Sequence, residues 1–217
     1  MRKLLSAAAA AALIAGVSGT ANATISIGSV TPGTNPYSGP PPTYDFDTST
    51  PTVTGGTIDN TSISGVRAQP YGSTGYYYAV GPSGNGTQPG VIDLSSIGDI
   101  NNLSFLWGSA DSYNLLEFLD ASMNVLQSFT GSDVVLPANG DQVDPFTNPV
   151  VMFNLTGSDV SDFTYLRLTS IGQNAFEIDN IALNVPEPAT WMMMILGFGL
   201  IGSSVRRRRN RVAVQYA

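Results

Sequence analysis

Leu103-Ser104-Phe105-Leu106-Trp107-Gly108-Ser109-Ala110-Asp111-Ser112-Tyr113-Asn114-Leu115-Leu116-Glu117-Phe118-Leu119 is the stretch that decides the fold. Two apolar runs flank a short polar segment. Leu103, Phe105 and Trp107 share one face by two-residue alternation, and each run is too short for a packed helix. The pattern predicts strands at 103–107 and 115–119 with a turn between them. Asp111, inside that turn, is the most suggestive acid of the chain. Its simplest role is to bond the backbone that carries the chain from one strand to the next.

The same signature repeats outward in both directions. Short apolar runs between turn residues predict strands at 76–80, 91–94, 125–129, 150–155, 165–171 and 176–183. Val151, Phe153 and Leu155 share a face, as do Leu166 and Leu168. In the last run Phe176 and Ile178 have one parity and Ile181 and Leu183 the other, so a bulge near Asp179-Asn180 is expected. Thr31 to Pro42 holds five prolines and two glycines and reads as loop. The expected architecture is all-β, an antiparallel β-sandwich or jelly-roll body. The core occupies residues 76–185, and a loop-rich part, residues 24–75, precedes it.

The chain of 217 residues has no cysteine and no histidine. Disulfides, thiol nucleophiles, Ser-His-Asp chemistry and most zinc sites are thereby excluded. Charge is segregated. Between Thr24 and Val185 two basic residues, Arg67 and Arg167, face fifteen acids, so the body carries about −13 while the whole chain carries −7. Such a surface repels phosphate, so nucleic acid is not an expected partner.

Both ends read as addresses. Arg2 and Lys3, the apolar run Leu4 to Val17, and Ala21-Asn22-Ala23 form a signal peptide over residues 1–23. Its cut falls between Ala23 and Thr24, which calls for the Sec translocon and signal peptidase. At the other end Pro186-Glu187-Pro188 precedes an uncharged apolar segment, 189–205. As a helix it reaches ~26 Å, the short end of a single transmembrane span. Trp191 suits the outer headgroup layer. Arg206, Arg207, Arg208 and Arg209 stop the span on the cytoplasmic side, within a signal that runs over 186–211. The two prolines keep the tripeptide extended and open to a processing enzyme.

In that order, Val185-Pro-Glu-Pro-Ala-Thr-Trp, the Gly-rich span Met192 to Gly202 and the four arginines resemble the PEP-CTERM sorting signal of Gram-negative bacteria. The resemblance implies an exosortase, a membrane-embedded cysteine protease or transpeptidase, that recognises the tripeptide and removes the span. It implies transient anchoring in the inner membrane, then a cell-surface or extracellular destination, and an association with exopolysaccharide and biofilm. The tail Asn210 to Ala217 is longer than usual for such signals. Tyr77 to Pro82, Leu106 to Asn114, Phe118 to Asn124 and Ala175 to Ile181 are similar, in order, to a family of exosortase-dependent surface proteins with β-sandwich bodies of unassigned activity.

The body's role is expected to be non-enzymatic, because no spacing singles out a carboxylate pair among so many acids. A secreted hydrolase is one alternative and a carbohydrate-binding module another. For the latter, Tyr76 and Tyr78 would share a strand face and stack on sugar, although core-plus-rim packing explains the tyrosines equally. No cofactor is expected. If a metal were held it would be structural calcium, at Glu177, Asp179 and Asn180. The Asn-x-Ser/Thr sequons at Asn60, Asn85, Asn102 and Asn154 read as chance in so Asn-, Ser- and Thr-rich a chain.

Overall fold

A computed structural model describes residues 24–184 and Phe198. The signal-peptide residues Ala21 and Ala23, the tripeptide Pro186-Glu187-Pro188, Trp191, the predicted 189–205 span apart from Phe198, and Arg206 to Arg209 lie outside the described residues. Among the described residues no helix is long and apolar enough to cross a membrane.

Eleven strands and two single-turn helices follow one another along the described body: β1 Thr24–Thr31, β2 Thr52–Thr54, β3 Thr57–Asp59, β4 Tyr77–Val80, β5 Gly90–Asp93, β6 Asn102–Gly108, β7 Asn114–Asp120, β8 Val125–Thr130, α1 Gly131–Val134, β9 Val150–Thr156, α2 Asp159–Asp162, β10 Phe163–Ser170 and β11 Phe176–Asn184. They form two antiparallel sheets. The six-stranded sheet runs β1-β9-β6-β11-β4-β3 and the five-stranded sheet β2-β5-β10-β7-β8. The body is the expected all-β sandwich.

All eight strands read from the sequence are present, with boundaries moved by one or two residues. Alternation sends Leu103, Phe105, Trp107, Val151, Phe153 and Leu155 inward from one sheet, and Leu116, Phe118, Leu166 and Leu168 inward from the other. Trp107 stacks on Phe176 with ring centroids 4.5 Å apart, and Phe118 meets Phe153 across the sheets at 5.1 Å. The expected bulge is in place: the β6–β11 register shifts between Asp179 and Ala182, and Asn180 has φ 55°. The shift returns Ile181 to the core side.

Three strands escape the sequence reading. Gly55 and Gly56, with φ 72° and 61°, look like a hairpin turn between β2 and β3, yet these strands belong to different sheets. The two glycines form the corner at which the chain crosses from one sheet to the other. A Cβ on Gly55 would sit 2.4 Å from the Pro89 carbonyl oxygen.

Register divides the molecule into two poles. Thr24 pairs with Thr156, Asn102 with Asn154, and Asn184 with Asn102, so both ends of the described body lie at one pole. Three strand spacings separate β1 from β11, about 14 Å across the sheet. Val80, Gly108, Val150 and Phe176 mark the opposite pole, roughly 20 Å away along β11.

Candidate functional site

At the pole opposite the chain ends, three connections converge: residues 109–113 between β6 and β7, residues 135–149 between α1 and β9, and residues 171–175 between β10 and β11. With residues 65–67 they enclose a cleft of about 270 Å³, lined by Arg67, Asp111, Tyr113, Gly140, Gln142 and Gln173 among others, with Glu177 beneath. Two hollows of about 400 and 350 Å³ open beside Pro40 on the outer face of the six-stranded sheet, but no titratable side chain lines either. A further hollow of about 260 Å³ carries Tyr37, Asp45 and Asp47, whereas the cleft brings together Arg67, Asp111, Tyr113 and Glu177, so the cleft is the richer place for chemistry.

Buried asparagines fasten these connections. Asn114, fully buried, accepts the Asp111 N–H (2.9 Å) and the Trp107 indole N–H (3.3 Å) on Oδ1 and donates to the Ala175 carbonyl (3.0 Å). Asn148 accepts the Ser109 and Tyr71 N–H groups and donates to the Asp141 and Asp144 carbonyls. A buried amide that satisfies four backbone groups fixes loop shape, because leaving any of them unpaired costs more than the bond itself gains. The expected turn role of Asp111 thus falls to Asn114. The Asp111 carboxyl turns instead into the cleft, where Tyr113 Oη donates to Oδ2 at 2.5 Å. Gly140, with φ 65°, lies directly over it, and a Cβ there would come within 2.3 Å of Oδ2. Absence of a side chain at 140 leaves the carboxyl uncovered.

Burial controls the electrostatics. Glu177 is 1% exposed. Its carboxyl is raised from 4.5 to about 7 by burial, against the lowering effect of hydrogen bonds from the Ala68 N–H (2.8 Å) and the Ser109 hydroxyl (3.1 Å), with Asp111 adding to the rise. Burial also raises Asp111, opposed by its bond from Tyr113. The Tyr113 phenol is pushed above its ordinary range, by burial first and then by Asp111. Arg67 is paired with Asp59 and donates through Nη1 to the Gly84 carbonyl at 2.8 Å. Its buried Nε–H has no partner in the described structure. The site thus offers a carboxylate acceptor and side-chain amides, with the Arg67 guanidine enclosed in its wall.

The residues singled out from sequence lie elsewhere or serve otherwise. Asp179 shares the outer face of β11 with Glu177 and is raised to about 7 by burial, despite bonds from the Ser73 hydroxyl (2.6 Å) and the Asn180 N–H (2.7 Å). Asp179 and Asn180 bond to each other while Glu177 bonds to Ala68 and Ser109, and among the described residues no three acids gather as metal ligands. Tyr78 is fully buried, stacked on Phe46 at 5.9 Å, with its hydroxyl on the Gly55 carbonyl. Tyr76 is 44% exposed and precedes β4, so the two tyrosines form no common sugar-binding face. Asn85 is buried, and Asn102 donates to Asn154 at 2.6 Å, so three of the four sequons serve the fold. Thr24 opens β1 opposite Thr156. Arg67, Tyr113, Gly140, Gln142 and Gln173 were not legible as a site, since they are far apart in sequence and sit in loops without a motif.

Beyond the body, a protein-family model described as the PEP-CTERM protein-sorting motif matches residues 184–209. No curated protein and no solved structure matches the chain. The match begins at Asn184, the last residue of β11. The motif implies export, transient membrane processing with an exosortase as partner, and an extracellular or surface-directed protein.

Proposed function

We propose that the chain is a non-enzymatic surface or matrix protein whose β-sandwich is exported, held briefly at the inner membrane and then released or transferred by an exosortase to the cell surface, in association with exopolysaccharide. The observation that carries this reading is the sorting motif placed directly after the last strand. Only Val185 separates β11 from Pro186. The polar arrangement supports it: Thr24 and Asn184 leave the sandwich at the same end, so a tethered body presents its opposite pole outward.

A hydrolytic reading is less well supported. Asp111 and Glu177 are the acids nearest to a working pair, but Glu177 is sealed and both its oxygens are engaged. A general acid must touch the group it protonates.

Substituting Pro186, Glu187 and Pro188 together by alanine tests the sorting step in the native host. Retention of an uncleaved chain in the membrane fraction, with loss from the surface, is the expected result. Unchanged surface delivery would remove the exosortase from the account.

A further inference from the structure

The cleft at the distal pole has features that the sorting role does not use. Within it Asp111 Oδ2 has the Tyr113 hydroxyl, whereas Oδ1 accepts no hydrogen bond among the described residues, and Gly140 leaves the carboxyl open. Gln142 and Gln173 line the same space with exposed amides. Arg67, 9% exposed, stands in the wall of the cleft, its enclosed Nε–H without an acceptor among the described residues.

The loops around the cleft also break the usual rule for surfaces. Leu136 is 80% exposed, Val143 74%, Phe146 66% and Ile171 57%, the four most exposed large apolar side chains within residues 24–184. All four sit on the two connections that supply Gly140, Gln142 and Gln173 to the cleft. Apolar side chains gathered around a polar hollow mark an interaction surface.

We infer that this pole is a binding site for a neutral, polyhydroxylated ligand, a hexose unit of a glycan. Such a unit presents hydroxyls that both donate and accept, matching the open carboxylate and the amides. It also presents C–H faces, which suit exposed apolar side chains such as Phe146 on the connections that bound the cleft. An anionic ligand meets the Asp111 carboxylate in a body of about −13. A flat hydrocarbon ligand would leave the open carboxylate unpaired. The cleft, at about 270 Å³, lies near the small end of ligand sites, roughly 300 Å³ upward, and so holds one ring, with further rings resting on the apolar rim.

The site itself does not depend on how the chain is sorted; only its outward display does. The test therefore uses purified full-length chain in a detergent without a sugar headgroup. Methyl glucoside, methyl galactoside and methyl mannoside are titrated by saturation-transfer NMR, with glucuronate as the charged arm. At least one neutral glycoside is expected to bind saturably, and glucuronate at least tenfold more weakly. Asp111→Asn is expected to weaken binding about tenfold, and Phe146→Ala severalfold. Met123→Ala, at the opposite pole, is expected to leave it unchanged. Gln142→Ala, an exposed position, provides the same readout if Asp111→Asn does not fold. Failure of all three neutral glycosides to bind, glucuronate binding as tightly as they do, or equal loss on Met123→Ala would each overturn the proposal. A failed tripeptide test with intact glycoside binding would sink only the sorting account.

Discussion

Glu177 is a charge taken out of water. Tyr77 and Tyr113 face it with phenols, Asp111 faces it with a second carboxyl, and Arg67 is committed to Asp59. Glu177 and Asp179 both have folded-state values near 7, above the ordinary 4.5 and 3.8. The folded protein therefore keeps protons that the unfolded chain has already released. Their stabilisation is complete below the ordinary carboxyl range and is lost as pH rises through about 7. For Glu177 alone an elevation of this size corresponds to roughly 3 kcal/mol. Asp45, Asp59, Asp93 and Asp120, held low by hydrogen bonds from their turns, act in the opposite sense, but only at more acid pH. Melting scans between pH 5.5 and 8 should therefore show a midpoint that falls as pH rises. Glu177→Gln should remove part of that fall and raise the midpoint at pH 8. A midpoint independent of pH in the parent protein would mean that the buried carboxyl is not held as described.

The elements show where sequence carries structure and where it does not. The parity break in β11 was readable because Phe176, Ile178, Ile181 and Leu183 are all apolar, and only one extra residue reconciles them. Asn180 absorbs that residue with a left-handed backbone, a conformation that only glycine and a few polar residues adopt readily. Asn180→Ala should cost about 1 kcal/mol in chemical denaturation and Asn180→Gly less, with equal losses arguing against strain at the bulge. Edge strands β1, β2 and β3 escape the pattern for two reasons: in β1 the alternation of Ile25 and Ile27 with Thr24 and Ser26 is broken by a bulge between Ile27 and Ser29, and β2 and β3 are three residues each, too short to carry a period. Gly55-Gly56 misleads for a different reason. Two adjacent glycines permit a sheet-to-sheet corner as easily as a hairpin, and only partners distant in sequence decide which forms. The cleft was invisible for the same cause, apart from Asp111. Glu177, Asp179 and Asn180 lie together on β11 and so suggest calcium, yet Glu177 and Asp179 each accept their own hydrogen bonds from protein groups. Thermal midpoints with and without a calcium chelator should therefore coincide; a drop on chelation would restore a metal to this strand.

For the whole molecule the decisive property is its polarity. A signal peptide cut before Thr24 and a sorting motif starting at Asn184 would both act at one end of the same sheet. The other end carries the cleft and its apolar rim. On the proposed reading the tail has a physical meaning beyond address: a body tethered after Asn184 would turn the cleft pole away from the membrane. The most direct measurement is mass spectrometry of the C-terminus of the surface-bound protein isolated from its native host. The account predicts a mature chain that retains β11 and yields no peptide from Arg206 to Ala217. Recovery of Arg206 to Ala217 intact on the surface-bound form would show a permanent anchor and contradict exosortase processing.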